Sequence, residues 1–248
     1  MRTILFLLPL TLLAADNLTE RMQDHSLNET QRNDACYALR GAKEVEVLTA
    51  MRRALADPQV RACAATNLRA AEALDLFRDA LKDSEPEVRA IAARELGSFG
   101  KAEDLLTLSA ATRDSELLVA TNAVYGIALC PGKQPVPYLL EAARRGGIAG
   151  EQALHLLVER RAPESLPVAR ALLSSQAISD RLAAISVIGE MGDRSDLPAL
   201  RQIRAKETGE LSNTSRGFGL MPSFSLSRAA RTAIANIDGR HPIHYVSH

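Results

Sequence analysis

Three cysteines and five histidines are the residues here whose chemistry reaches beyond packing. Cys36 and Cys63 fall on matching stretches of sequence, two residues out of register. Two residues turn a side chain about 200° around a helix, so the two thiols could face each other. Helices packed about 8–10 Å apart bring facing Cα atoms near bridging range. The expectation is two buried, unbridged small side chains, with a disulfide as the alternative. Cys130, in Leu-Cys-Pro-Gly-Lys, ends a helical stretch with no base nearby to activate a thiol. His241, His244 and His248 have the spacing of a metal set only if helical, and Pro242 interrupts any helix. A frayed terminus is the expectation there, and His25 and His155 stand alone. No Ser-His-Asp arrangement, phosphate-cradling glycine loop, paired-cysteine zinc site or calcium loop is present. The sequence therefore predicts no catalytic residue, no metal and no cofactor.

These residues must be positioned by something, and the sequence shows what. A block of about 28 to 31 residues recurs along the chain, a period that marks stacked helical pairs. Its best copy places Val88, Arg89, Ala92, Ala93 and Leu96 at helical spacing. The preceding copy has Val60, Arg61, Ala64, Ala65 and Leu68, and the one before it Gln31, Arg32, Ala35, Cys36 and Leu39. Later copies supply Arg181, Ala184, Ile185 and Ile188, then Leu226, Ala230, Ile234 and Ile237. The copies around Tyr125 and His155 lack the arginine. One pair cannot bury its apolar face alone, so neighbours must stack. Pro58 and Pro86 suit helix starts, and Gly97, Gly100, Gly189 and Gly192 are expected to end helices.

The run from Asp57 and the run from Glu85 resemble the short, PBS-lyase-type HEAT-like repeat of the HEAT family, with its D-P-x-V-R-x-x-A-A-x-x-L-G pattern. The resemblance extends more loosely over residues 16–240. It implies an all-α fold, a right-handed α-α superhelix of about seven helical pairs. It also implies that Asp57, Arg61 and Arg89 belong to a structural ladder. The HEAT-like hydroxylases hold iron with His-Glu dipeptides, and this sequence has none. HEAT-like alkylpurine glycosylases use a base-recognising aromatic pocket that normally includes tryptophan, and this sequence has no tryptophan. Bilin lyases and isomerases of the PBS-lyase group remain the alternative function.

In such stacks the second helices line an inner, concave face. Near-equivalent positions there carry Tyr37, Thr66, Arg94, Tyr125, His155 and Ser186, with Arg40 and Arg69 one turn further along. Aromatics beside arginine are the composition of interaction hot spots, although an ordinary solvated face carries polar residues too. Within the last repeat, Thr208 to Ser225 forms an insertion containing Arg216, Phe218, Met221 and Phe224. It either folds back as a cap, the favoured expectation, or forms a partner-binding lip. The leading functional expectation is a non-catalytic scaffold that binds a protein partner whose identity is left open.

Net charge is zero, so the basic excess of a general nucleic-acid binder is missing. Residues 1–15 read as a secretory signal: Arg2, an apolar run from Ile4 to Leu13, then Ala14 and Ala15 at the expected cleavage point. The alternative is an uncleaved apolar cap on the first repeat. No membrane span is predicted, and export to the periplasm or the outside is expected.

Overall fold

The computed structural model describes residues 10–211 and 225–240, with side chains described from residue 17 to 205 and from 225 to 240. Its described residues form fourteen α-helices and two short 3-10 turns, without a strand. The insertion's Arg216, Phe218, Met221 and Phe224 and the tail histidines lie outside the described residues.

The chain divides into two compact units, Met1–Gly126 and Ile127–His248. The first contains α1 (Leu10–Gln23), α2 (Glu29–Ala38), α3 (Val45–Ala54), α4 (Arg61–Ala70), α5 (Leu74–Ala80), α6 (Pro86–Phe99), α7 (Leu105–Ala111) and most of α8 (Leu117–Leu129). The second contains the end of α8, then α9 (Val136–Arg145), α10 (Gly147–Glu159), α11 (Ser165–Leu172), α12 (Ile178–Met191), α13 (Leu197–Leu211) and α14 (Leu226–Arg240). Odd and even helices alternate as the first and second members of each pair. Within the first unit α2 packs on α4 and α4 on α6, while α1 packs on α3 and α3 on α5. Within the second, α10 packs on α12 and α12 on α14. This is the stacking of an all-α helical-pair solenoid.

The repeated apolar positions are its core. Val60, Ala64, Leu68, Val88, Ala92, Ala93 and Leu96 in the first unit are buried, as are Ala184, Ile185, Ile188, Ala230 and Ile237 in the second. Local signals start the helices where expected. Asn28 and Gln31 form a reciprocal capping box on α2, and Pro86 opens α6. Gly100 closes α6 in the left-handed conformation, at φ 65°.

Gly97 and Gly189 correct the sequence reading. Neither ends a helix. A Cβ on Gly97 would come within 2.2 Å of the Gly126 Cα, so α6 and α8 touch backbone to backbone there. A Cβ on Gly189 would come within 2.9 Å of the Ala233 Cβ on α14. These glycines are the points of closest helix approach, which periodicity alone does not distinguish from helix ends.

The cysteines are a second correction. Cys36 on α2 and Cys63 on α4 are joined by a disulfide, with Cα atoms 6.3 Å apart. Asn67 is buried beside them and donates to the Cys36 carbonyl at 2.7 Å. Small alanines on both helices draw the backbones into bridging range. Cys130 is buried and unbridged, just past the end of α8.

The charged ladder is present with different members. Arg32 pairs with Asp57, and Arg89 makes a two-pronged pair with Asp114 at 2.8 and 2.9 Å. Arg61 carries no such rung; its guanidinium donates to the carbonyls of Leu55 and Ala56 at 2.7 and 3.1 Å. A second kind of rung, absent from the sequence reading, joins first helices. Arg78 donates to Asp104 at 2.7 Å and Arg170 to Asp196 at 2.7 Å, each 26 residues on.

Candidate functional site: a groove on the second helices of the first unit

The outward faces of α4, α6 and α8 enclose an open groove of about 600 Å³. It exists because the same periodicity that buries Ala64, Ala93 and Ala123 turns other positions outward. Thr66 and Arg69 come from α4, Ile91, Arg94 and Glu95 from α6, and Leu118 and Asn122 from α8. Thr66 donates to the Ala62 carbonyl and Asn122 to the Leu118 carbonyl, both at 2.8 Å, so these two polar groups are satisfied within their own helices.

Two arginines give the groove its character. Arg69 reaches across to Glu95 at 3.3 Å. Arg94 lies over the ring of Tyr125, with its Cζ 5.2 Å from the centroid. That is a cation–π contact, and it holds both side chains in place at the surface. Glu95 is the unusual group. Burial pushes its carboxyl above the ordinary glutamate value, and the charges of Arg69 and Arg94 offset only part of that. Beside it Leu118 is 49% exposed. An apolar side chain, a stacked arginine–tyrosine pair and a half-shielded ion pair thus share one surface.

The sequence-predicted residues distribute unevenly around it. Thr66, Arg69 and Arg94 line the groove, and Tyr125 borders it beneath Arg94. Tyr37, 54% exposed, and Arg40, also exposed, lie on and just after α2 and do not line it. His155 is exposed on α10, in the other unit, and Ser186 borders a separate cavity of about 460 Å³ between α12 and α14. Sequence reasoning missed Glu95 and Leu118. Glu95 could have been found 26 residues after Arg69, at the spacing of the first-helix rungs. Leu118 could have been found because Val119 takes the core position, which leaves Leu117 and Leu118 outside.

Among the described residues no group of three or more His, Cys, Asp or Glu side chains is placed to hold a metal ion. No helix among them is long and apolar enough to cross a membrane.

Paired helices stacked first on first and second on second define a helical-repeat protein. Residues 45–128 match the family model described as HEAT repeats, which supports a HEAT-like reading of that stretch. The structure is similar to that of human deoxyhypusine hydroxylase in complex with glycerol, at 15% identity and TM-score 0.38, covering 92% of this chain and 98% of that one. It is similar to an engineered protein at 15% identity and TM-score 0.31, covering 91% and 96%. A designed armadillo repeat protein matches at 18% identity and TM-score 0.30, covering 89% and 98%. Identities and TM-scores this low say nothing of activity, cofactor or partner. No curated protein matches the sequence.

Proposed function

We propose that this chain is a non-catalytic HEAT-like scaffold that binds a protein partner in the groove formed by α4, α6 and α8, after export to an oxidising compartment. The observation that carries the binding reading is the groove's composition: Arg94 stacked on Tyr125, the Arg69–Glu95 pair, and exposed Leu118 lining the same groove. Arginine and tyrosine presented together beside apolar surface are what hot spots are made of. A partner covering the groove would remove water from the Arg69–Glu95 pair and from the Tyr125 ring, strengthening both contacts.

Export is supported by two independent features. One is the signal-like run at residues 1–15. The other is the Cys36–Cys63 disulfide, since such bridges persist in oxidising compartments and are rare in reducing ones. Intact-mass measurement of the exported protein is expected to give a chain starting near Asp16; a mass that retains Met1 contradicts this.

The binding reading is tested by quantitative affinity capture from the native exported fraction, wild type beside the Arg94→Glu/Tyr125→Ala variant. Proteins held by the groove are expected to fall at least about tenfold in the variant, the order of one lost hot spot. Equal recovery of the same proteins by both forms rejects the groove as the binding surface. A bilin whose absorbance shifts on mixing with the chain would reject the non-catalytic reading in favour of tetrapyrrole chemistry.

A further inference from the structure

The three arginines that line the groove are not equivalent. Arg61 spends its Nε on the Leu55 carbonyl and Nη2 on that of Ala56, at 2.7 and 3.1 Å. Arg69 donates to Glu95 at 3.3 Å. Arg94 is exposed, and its guanidinium meets no acceptor among the described residues. What holds it is the ring of Tyr125, 5.2 Å from Cζ to the centroid. Stacking uses the flat face of a guanidinium. The N–H donors lie in its plane, so they stay available along the edge. The ring also restricts the side chain, which lowers the ordering cost of a pair made there.

The charges of the groove set what that edge can take. Among the lining residues Arg61, Arg69 and Arg94 stand against Glu87 and Glu95, leaving one net positive charge. A single carboxylate neutralises it. A phosphate monoester, with nearly two negative charges at neutral pH, overshoots it. Glu95 lies within the field of Arg94 but accepts its hydrogen bond from Arg69, so it leaves the Arg94 edge unfilled. Leu118, 49% exposed, and half-buried Ile91 line the same groove, and covering them takes an apolar side chain.

We propose that the partner presents a carboxylate to the edge of Arg94, with an aliphatic side chain next to it in sequence. The proposal rests on the binding reading above and adds the chemistry of what is bound. The pair would be two-pronged, as Arg89 makes with Asp114 at 2.8 and 2.9 Å within the chain. The carboxylate belongs to an acidic side chain or to a chain terminus, and the probes below separate the two.

The test follows the arginine Nε–Hε signals of the full-length chain by NMR, with Arg94 assigned by its disappearance in Arg94→Lys. The probes are N-acetyl-Asp-Leu amide, its neutral isostere N-acetyl-Asn-Leu amide, N-acetyl-Ala-Leu with a free C-terminal carboxylate, and inorganic phosphate. The expected result is a saturable shift at Arg94 with a carboxylate probe, at least about tenfold weaker binding of the Asn-Leu amide, and no shift at Arg61, whose donors are engaged. Tighter binding of the Asp-Leu amide identifies a side-chain carboxylate, and tighter binding of N-acetyl-Ala-Leu a terminal one. Equal binding of the Asp-Leu and Asn-Leu amides, tighter binding of phosphate than of either carboxylate, equal shifts at Arg61 and Arg94, or no saturable shift at Arg94 overturns the proposal. Capture separates its failure from that of the binding reading. Arg94→Gln, which removes the charged fork and leaves Tyr125, is expected to recover about tenfold less of the groove-held proteins. Full recovery by Arg94→Gln with loss in Arg94→Glu/Tyr125→Ala overturns the carboxylate alone. Full recovery by both variants overturns the binding reading and the carboxylate with it.

Discussion

The two units build their cores in the same way and differ in how charge is used. In both, small alanines and branched aliphatics at helical spacing bury the second helices: Ala64, Ala93 and Leu96 in one, Ala184, Ile188 and Ala230 in the other. In the first unit, the second-helix arginines Arg32 and Arg89 reach forward to an aspartate of the next pair, and a disulfide bridges α2 and α4. In the second, Arg170 keeps a rung to Asp196, while Arg160 and Arg240, at the ends of the second helices α10 and α14, turn to helix ends. Arg160 donates to the carbonyls of Ala128, Cys130 and Gly132, and Arg240 to those of Gly189 and Gly192. The lesson is that a helical repeat has two separable parts. The apolar register cannot drift without losing the stack, whereas the charged rung can be exchanged for a cap.

If the core is the shared part, its disruption should hurt both units alike. Leu96→Asp and Ile188→Asp are each expected to lose about 4 kcal/mol or more in denaturant unfolding, because each buries an unpaired charge. A melt of Leu96→Asp indistinguishable from wild type would falsify the register. Reducing the Cys36–Cys63 bridge, which closes a sequence separation of 27, should cost about 3–4 kcal/mol by the loop-entropy argument. Its effect should be confined to the first unit: hydrogen exchange accelerates around Ala35 and Ala64 and stays unchanged around Ala184. Arg160→Ala should cost about 1–2 kcal/mol through the uncapped end of α8, with acceleration near Ala128.

The charge differences can be sharpened by pH. Arg89 holds the Asp114 carboxyl below its ordinary value of 3.8, so this rung contributes stability that is full above that value and is lost as pH falls through the depressed one. Asp114→Asn should therefore lose stability at neutral pH and show a weaker acid dependence below pH 3.8. Glu95 has the opposite sign. Its carboxyl is raised by burial, so the folded chain favours the protonated form, and a destabilising contribution grows as pH rises from 4.5 through the raised value. Glu95→Gln should remove that contribution and narrow the stability difference between acid and neutral pH; this is the smallest of the expected effects.

Much of this was legible in the sequence. The repeat period gave the pairs, and the positions of Val88, Ala92, Leu96 and their counterparts gave the core, because burial on one helix face imposes its own spacing. Thr66, Arg69, Arg94 and Tyr125 were nominated from register and come together at the groove. What escaped depended on contacts between helices. Gly97 reads as a helix end until Gly126 is seen against it. Arg61 carries the motif arginine of a best-matched repeat, yet it caps α3 while Arg52 takes Asp83 at 2.9 Å. The disulfide depended on how closely alanines let α2 and α4 approach, which no spacing along the chain specifies.

The central claim is that the partner lies on second helices, not first. It is tested most directly by placing a photo-crosslinking residue at Thr66, on the groove, and separately at Leu106, on α7, where the side chain is 71% exposed. The account predicts that the partner captured by wild type crosslinks at position 66 and not at position 106. Crosslinking at 106 with none at 66 would contradict it.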